Sequence, residues 1–180
     1  MNRSITVFAS SSGHLDQQYY TSARTTGKIL AEQGFHIVYG GGNNGLMGAM
    51  AESAWSHGGK LSGVITRPLR ERGYCFEQAD EIIETETLDE RKKIMEDKAE
   101  AFVVLPGGVG TLDELFSVLS KKQLGYHDKP VFCIECNGYF TALHDFFSIL
   151  IKNNFTSADD TSLFTIIKNA ESLEVVLAQL

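Results

Sequence analysis

Short apolar runs alternate with longer amphipathic segments along the whole chain. The runs SITVFA, HIVYG, KLSGVIT, AFVVLP and KPVFCIE are rich in β-branched and aromatic residues and have the length of buried strands. The segments between them, such as DQQYYTSARTTGKILAEQG and TLDELFSVLSKKQLG, repeat apolar residues at helical spacing. Continuously apolar strands are typical of a parallel sheet covered on both faces. The pattern therefore predicts an α/β fold, a doubly wound parallel sheet with helices on both faces.

One stretch departs from this alternation. Residues 67–79 are polar and lack a clear period, so we expect irregular structure there, followed by a short strand at DEIIE and a helix over LDERKKIMEDKAE. The sequence contains no linker, low-complexity tract or internal repeat. At 180 residues it has the length of one domain with a sizeable core, so we predict a single domain over residues 1–180.

Two glycine-rich turns each join a predicted strand to a predicted helix. The first glycine turn is GGGNNGLMG (Gly40–Gly48), and the second glycine turn is PGGVGT (Pro106–Thr111). Both fall at carboxyl ends of strands, where doubly wound folds bind ligands, and unpaired amides at a helix start suit a phosphate. Neither turn is followed by the Gly-Lys-Ser/Thr of a triphosphate-binding loop. A monophosphate is therefore favoured over a triphosphate or NAD.

Two charged residues occupy unusual helical positions. Arg91 shares a predicted helix face with Leu88, Ile94 and Met95, which is typical of a buried functional arginine, of a snorkelling one or of a structural ion pair. Glu114 follows the second glycine turn and points away from the apolar stripe of its helix. It is free to face a pocket mouth or a partner, or simply to complement the helix dipole.

Composition narrows the possible functions. The net charge of −7 argues against a broad nucleic-acid surface, and no apolar run is long enough to cross a membrane. The chain start lacks a signal-peptide core, so we expect a cytoplasmic location. The cysteines of PVFCIEC, Cys133 and Cys136, lie on a predicted strand and are interpreted as buried free thiols. The five histidines lack metal-ligand spacing, so we expect no metal site.

The second glycine turn and the residues after it also resemble a known family. PGGVGTLDE fits the PGGxGTxxE motif of the Lonely-guy family, the cytokinin riboside 5′-monophosphate phosphoribohydrolases. YGGGNNGLMG is similar to that family's first glycine turn, and ERKKIM to its RKxxM helix. The resemblance runs from Ser4 to about Asn154. It implies a Rossmann-like fold, a homodimer, and hydrolysis of the N-glycosidic bond of a nucleoside 5′-monophosphate without any cofactor.

By motif position, the resemblance implies that Arg91 and Glu114 form the catalytic pair. Further residues are implied to bind the substrate, with Gly108–Thr111 holding its phosphate or ribose, and these are Gly41, Gly42, Gly45, Glu71, Lys92, Gly108, Val109, Gly110, Thr111, Leu112, Asp113 and Ser120. The chain departs from the family pattern most within residues 67–79 and has Leu88 and Asp89 where plant members have Met-His. These departures leave the preferred base open.

Three functions remain open at this stage. The first is release of a cytokinin base from an N6-substituted adenosine 5′-monophosphate. The second is a general nucleosidase acting on AMP or GMP, and the third is a non-catalytic carrier of a nucleotide or of molybdenum cofactor. The presence of both Arg91 and Glu114 favours catalysis over carriage. A pocket large enough for an isoprenoid-substituted adenine would favour the first function over the second.

Overall fold

The computed structural model describes residues 3–180, and its centre is a seven-stranded sheet in which every pair of neighbouring strands is parallel. The order across the sheet is β4-β3-β2-β1-β5-β6-β7. The strands are β1 (Ser4–Phe8), β2 (His36–Tyr39), β3 (Lys60–Thr66), β4 (Glu81–Thr85), β5 (Ala101–Val104), β6 (Val131–Ile134) and β7 (Thr165–Ile167). The predicted α/β fold is thereby confirmed.

Helices connect successive strands and cover both faces of the sheet. They are α1 (Gln17–Glu32), α2 (Gly45–Ser56), α3 (Arg67–Glu71), α4 (Leu88–Lys98), α5 (Val109–Gln123), α6 (Tyr139–Lys152) and α7 (Leu173–Leu177), with 3-10 helices at Ala158–Leu163 and Ala170–Ser172. Within residues 3–180, none of these helices has the length and apolarity needed to span a bilayer.

Each face of the sheet is covered by an apolar layer, and the strands therefore do not alternate between apolar and polar residues. Ile5 and Val7 of β1 pack with α1, α2 and α7 on one face, whereas Phe8 packs with α4, α5 and α6 on the other. Thr6 is a fully buried polar residue of this strand, and its hydroxyl donates to the Met95 carbonyl at 2.7 Å. Because both faces are buried, each inward position must be apolar or hydrogen-bonded.

The chain reverses its direction of winding beside β1. Strands β1 to β4 are added successively toward one edge, and the chain then crosses to place β5, β6 and β7 on the other side of β1. The crevice above β1 and β5 is thus a topological switch point, where open parallel sheets bind ligands. The carboxyl ends of β2 and β5 carry the two glycine turns to this edge.

Two local expectations were wrong. Residues 67–79 are not wholly irregular, because α3 forms over Arg67–Glu71 with Pro68 in its first turn, a position where the missing proline N–H costs little. Leu88 does not share the buried face of α4, since it is 59% exposed at the first residue of that helix. The buried face of α4 therefore starts one turn later, at Arg91.

Candidate active site

A cavity of about 670 Å³ opens at the carboxyl ends of β1, β2, β3 and β5. Its volume is in the range of small-molecule sites, which are typically ~300–1,000 Å³. Both glycine turns contribute to its lining, together with residues that follow β1 and β3 and one residue of α4. The lining residues that bear on its chemistry are Ser10, Gly40, Gly42, Gly45, Arg91, Gly108, Gly110, Thr111 and Glu114.

Arg91 and Glu114 form a buried ion pair in the wall of this cavity. Nη1 of Arg91 donates to Oε1 of Glu114 at 2.7 Å, and the two side chains are only 9% and 7% exposed. Nε of Arg91 donates to the Val64 carbonyl at 2.8 Å, so the guanidinium is held from two directions. A buried pair of this kind is stabilising only with such additional hydrogen bonds, because both charges lose their hydration.

Gly40 makes room for the guanidinium. A methyl group at Gly40 would overlap Nη2 of Arg91 and would also press on the side chain of Met47. The first residue of the glycine turn is therefore a glycine because a charged side chain lies against its backbone. Among residues 3–180, Nη2 of Arg91 and Oε2 of Glu114 have no hydrogen-bond partner, so one atom of each remains available to a ligand.

Burial changes the acidity of Glu114. Desolvation raises the pKa of its carboxyl group above the ordinary value of 4.5, and the neighbouring Arg91 opposes this shift without cancelling it. Asp113 raises the same pKa further, whereas Lys92 lowers it. A carboxyl group in a cavity with a raised pKa and a fixed cation beside it is a physical indication of a functional site.

The start of α5 forms a second part of the cavity, here called the glycine wall (Gly108, Val109, Gly110 and Thr111). A methyl group added at Gly108 or Gly110 would meet nothing within 4 Å, and neither residue has a positive φ. Neither packing nor backbone conformation therefore requires glycine at these positions. The open space in front of them, at a helix N-terminus with unpaired amides, suits an anionic group that approaches the backbone closely.

Thr111 adds a hydroxyl to the glycine wall. The residue is only 5% exposed, yet within the described part of the chain its hydroxyl has no hydrogen-bond partner. Its side chain packs against Gly107, where a methyl group would overlap it. Close packing thus requires glycine at position 107, whereas the space beside Gly108 and Gly110 is open.

The loop after β1 closes the cavity between the two glycine turns. Ser10, Ser11 and Ser12 line it, and the Ser10 carbonyl accepts from the Met47 amide at 3.0 Å. Gly45 begins α2 with φ +62°, and a side chain there would lie 2.6–2.7 Å from the backbone of this serine loop. Both features need glycine, because the backbone is left-handed and another chain segment lies against it.

The remaining side of the cavity is apolar, and its members are called the apolar wall (Met47, Ile65, Leu69 and Tyr74). Tyr74 is 45% exposed, so much of this aromatic residue remains accessible beside the cavity. This wall lies near Arg91, whose Nε contacts the residue immediately before Ile65. The cavity therefore combines an amide-rich wall on α5, a buried ion pair that includes Glu114 of the same helix, and an apolar wall beside Arg91.

Several of the residues predicted to bind the substrate do not line the cavity. Gly41 has φ +73° and packs against Ile65, which is a structural role, and Glu71 is exposed on α3. The other four residues also lie outside the cavity. Leu112 packs against the apolar core, and Ser120 is exposed two turns beyond the glycine wall. Lys92 and Asp113 form an ion pair, with Nζ of Lys92 2.9 Å from Oδ2 of Asp113.

Sequence reasoning missed Gly40 and the apolar wall. Gly40 could have been suspected, since it directly follows β2 as Gly108 closely follows β5. Leu69 and Tyr74 lie in residues 67–79, which have no periodic signal and are brought to the cavity only by tertiary contacts. In the described part of the chain, no three His, Cys, Asp or Glu side chains form a group that could hold a metal ion.

Comparison with known proteins places this geometry in a family. A protein-family model described as "Possible lysine decarboxylase" matches residues 47–176. The cytokinin riboside 5′-monophosphate phosphoribohydrolase of Mycobacterium marinum is 40% identical over 149 residues, which cover 83% of this chain and 80% of that protein. The chain belongs to the Lonely-guy family. The Arabidopsis thaliana enzyme LOG5, with the same name, is 34% identical over 94% of this chain and 74% of its own length.

Solved structures agree with the Lonely-guy fold. The molybdenum cofactor carrier protein of Chlamydomonas reinhardtii has a TM-score of 0.78 with 22% identity, covering 99% of this chain and 98% of that one. DNA processing protein A of Streptococcus pneumoniae has a TM-score of 0.64 with 16% identity, covering 99% of this chain and 62% of that one. At such identities the likeness concerns the Rossmann-like fold alone.

The phrase "lysine decarboxylase" in the family description does not match the cavity. Enzymes that decarboxylate amino acids with pyridoxal phosphate hold that group as a Schiff base on a lysine. No lysine is among the described residues that line the cavity. The side chains of this Lonely-guy member therefore do not fit that chemistry.

Proposed function

We propose that the protein hydrolyses the N-glycosidic bond of an N6-substituted adenosine 5′-monophosphate, giving the free base and ribose 5-phosphate. The observation that carries this proposal is the buried pair of Arg91 and Glu114 between the open glycines of α5 and an apolar wall. The three parts of the cavity match phosphate, ribose and base in the order in which a nucleotide presents them. The names of the relatives from M. marinum and A. thaliana support the same reaction.

Phosphate binding belongs to the glycine wall. A ligand can approach the backbone at Gly108 and Gly110 closely, because the space beside them is open, and Thr111 adds a hydroxyl that has no hydrogen-bond partner among residues 3–180. Binding energy gained at the phosphate holds the ribose in a fixed place relative to Glu114, one turn further along the same helix.

Glu114 and Arg91 act on the bond to be broken. Positive charge develops on the ribose ring as the bond to the base lengthens, and the Glu114 carboxylate stabilises that charge and orients the water that adds to the anomeric carbon. Arg91 holds this carboxylate through Nη1, and its permanent charge offsets the electron density that leaves with the base. The base then takes up a proton, so water supplies all the atoms added.

Base preference follows from the apolar wall. Met47, Ile65 and Leu69 have no polar side-chain group for an unsubstituted amino group and instead suit an apolar substituent. The size of the cavity also favours a bulky adenine over plain AMP or GMP. We therefore place the cytokinin nucleotide before the general nucleosidase substrates.

We extend the proposal to a cytoplasmic homodimer built from single-domain protomers. Exposed apolar side chains on α6 and just after it support self-association, namely Phe146, Ile149 and Phe155. The free thiols of Cys75, Cys133 and Cys136 suit a reducing compartment. Sedimentation equilibrium on the purified protein tests the dimer, and a mass equal to one chain at all concentrations would contradict it.

Base release tests the reaction directly. The purified protein is incubated with AMP and with isopentenyladenosine 5′-monophosphate, and free base and ribose 5-phosphate are quantified by chromatography. We expect equal amounts of both products, faster release from the substituted substrate, and almost none from Glu114→Gln. If the wild-type protein released base from neither substrate, the catalytic proposal would be wrong and the non-catalytic carrier would replace it.

A further inference from the structure

Part of the apolar wall is held by hydrogen bonds to the first glycine turn. An isolated antiparallel bridge joins Gly42 to Cys75. Beside it, the backbone N–H of Asn43 donates to the Tyr74 carbonyl at 3.0 Å. The segment around Tyr74 is thus fastened to the glycine turn, although the two are about thirty residues apart in the chain.

The side chain of Asn43 adds two more bonds to this fastening. Its Nδ2 donates to the Gly73 carbonyl at 3.0 Å and to the Cys75 carbonyl at 3.1 Å. The Phe76 amide completes the set by donating to the Gly41 carbonyl at 2.9 Å. One amide nitrogen therefore binds the backbone on both sides of Tyr74.

This arrangement fixes the backbone from which the Tyr74 ring extends at the cavity. Tyr74 lines the cavity, and its amide donates to the carbonyl of Leu69 at 3.2 Å, so the two wall residues are coupled. Asn43 does not line the cavity itself. Any effect of Asn43 on a ligand must therefore pass through the segment that it holds.

We propose that Asn43 is a positioning residue that sets base recognition by holding Tyr74 as a flat aromatic surface for the base. The inference rests on the proposed nucleotide substrate. A purine offers a π-face to an aromatic ring, and such stacking contributes most when the ring is held in place before binding. The residue acts on the base end of the cavity, whereas the glycine wall acts on the phosphate end.

The chemistry of an asparagine side chain is needed for this role. Its nitrogen carries two N–H donors, which match two carbonyl acceptors, whereas an aspartate of the same shape has none. The Asn43 backbone is fixed independently, because it packs against Gly48 of α2, where a side chain would overlap it. Asn43 is also exposed, so the carbonyls that it releases can bind water, and we expect its variants to fold.

The test compares Asn43→Asp and Tyr74→Ala with the wild-type protein. Calorimetry with free isopentenyladenine reports the base end without requiring catalysis, and inhibition by ribose 5-phosphate reports the phosphate end. For each variant we expect base affinity to fall about tenfold. Inhibition by ribose 5-phosphate should stay within about twofold of wild type. With isopentenyladenosine 5′-monophosphate, KM should rise while kcat changes little.

A double variant shows whether the two residues act together. If Asn43 acts through Tyr74, Asn43→Asp should add almost nothing to the base affinity already lost in Tyr74→Ala. Full additivity of the two losses, or an equal loss at the phosphate end, would overturn the positioning role. Asn43→Ala should behave as Asn43→Asp does, which separates lost donation from the added charge.

Failure of this inference is distinguishable from failure of the proposed function. If wild-type protein binds the free base but releases none from a nucleotide, the hydrolase proposal fails and the calorimetric comparison still decides the role of Asn43. If nucleotides are hydrolysed and Asn43→Asp binds the free base as wild type does, the positioning role alone is wrong.

Discussion

Nη1 of Arg91 lies 2.7 Å from Oε1 of Glu114, and this buried pair joins α4 to α5 in the wall of the cavity. Each residue alone would leave an uncompensated charge in a poorly hydrated place. Together they leave Nη2 of Arg91 and Oε2 of Glu114 without partners among residues 3–180. The pair is therefore stable in itself and still able to contact a ligand.

Glu114→Gln should abolish most of the activity without unfolding the protein. The glutamine oxygen can still accept from Arg91, so the buried guanidinium keeps its hydrogen bond, but the negative charge is lost. We expect kcat to fall by about 10²–10⁴. Base release and thermal unfolding are measured on the same samples, and activity above a tenth of wild type with unchanged folding would contradict a catalytic Glu114.

The pH dependence of kcat/KM should carry the signature of Glu114. The reaction needs the carboxylate, and burial raises the pKa of Glu114 above 4.5, so kcat/KM should increase with pH through a midpoint above that value. Base release from isopentenyladenosine 5′-monophosphate is measured across this range. The residual kcat/KM of Glu114→Gln should not show this increase with pH. The same increase in the variant would mean that another group titrates.

The contribution of Glu114 to the free energy of unfolding should decrease with rising pH, whereas kcat/KM should increase. Because the folded pKa of Glu114 exceeds its unfolded value, the folded state holds the proton more tightly between the two values. Its contribution to the free energy of unfolding is fully present below about pH 4.5 and is lost as pH rises through the folded pKa. Other carboxyl groups titrate in both proteins, so the pH dependence of urea unfolding should differ between the wild type and Glu114→Gln by this contribution, and identical pH dependence would refute the raised pKa.

Neighbouring glycines of the second glycine turn should respond differently to alanine. Gly108→Ala places a methyl group in open space, so we expect unchanged thermal stability but at least about tenfold weaker binding of ribose 5-phosphate. Gly107→Ala is the matched control, since its methyl group would overlap Thr111 and should lower the melting temperature. Unchanged ribose 5-phosphate binding by folded Gly108→Ala would remove the glycine wall from the site.

Gly40→Ala should reduce catalysis by displacing Arg91. The added methyl group would overlap Nη2, so the guanidinium and the Glu114 carboxylate attached to it must shift. A displacement of this kind is expected to cost about 10²-fold in kcat. Ribose 5-phosphate affinity should change less, because the glycine wall is untouched. Wild-type kcat in Gly40→Ala would show that the position of Arg91 is unimportant.

The sequence by itself determined the sheet, the two glycine turns and their place at the ligand-binding edge. Short β-branched apolar runs such as AFVVL, followed by turn residues, are typical of strands covered on both sides, and strand-turn-helix order then fixes where the turns lie. Gly34 lies two residues past the last residue of α1 with φ +74°, the left-handed conformation for which glycine is favoured after a helix. These are local properties, so a local pattern predicts them.

Only the tertiary structure decided how the site is assembled. Arg91 and Glu114 are 23 positions apart in the chain, and no spacing rule predicts a buried pair between two helices. Tyr74 reaches the cavity through bonds to a turn some thirty residues earlier. The physical reason is the same in both cases. The hydrophobic period of a segment indicates which of its faces is buried. A site depends instead on which residues distant in the chain form ion pairs and hydrogen bonds with one another.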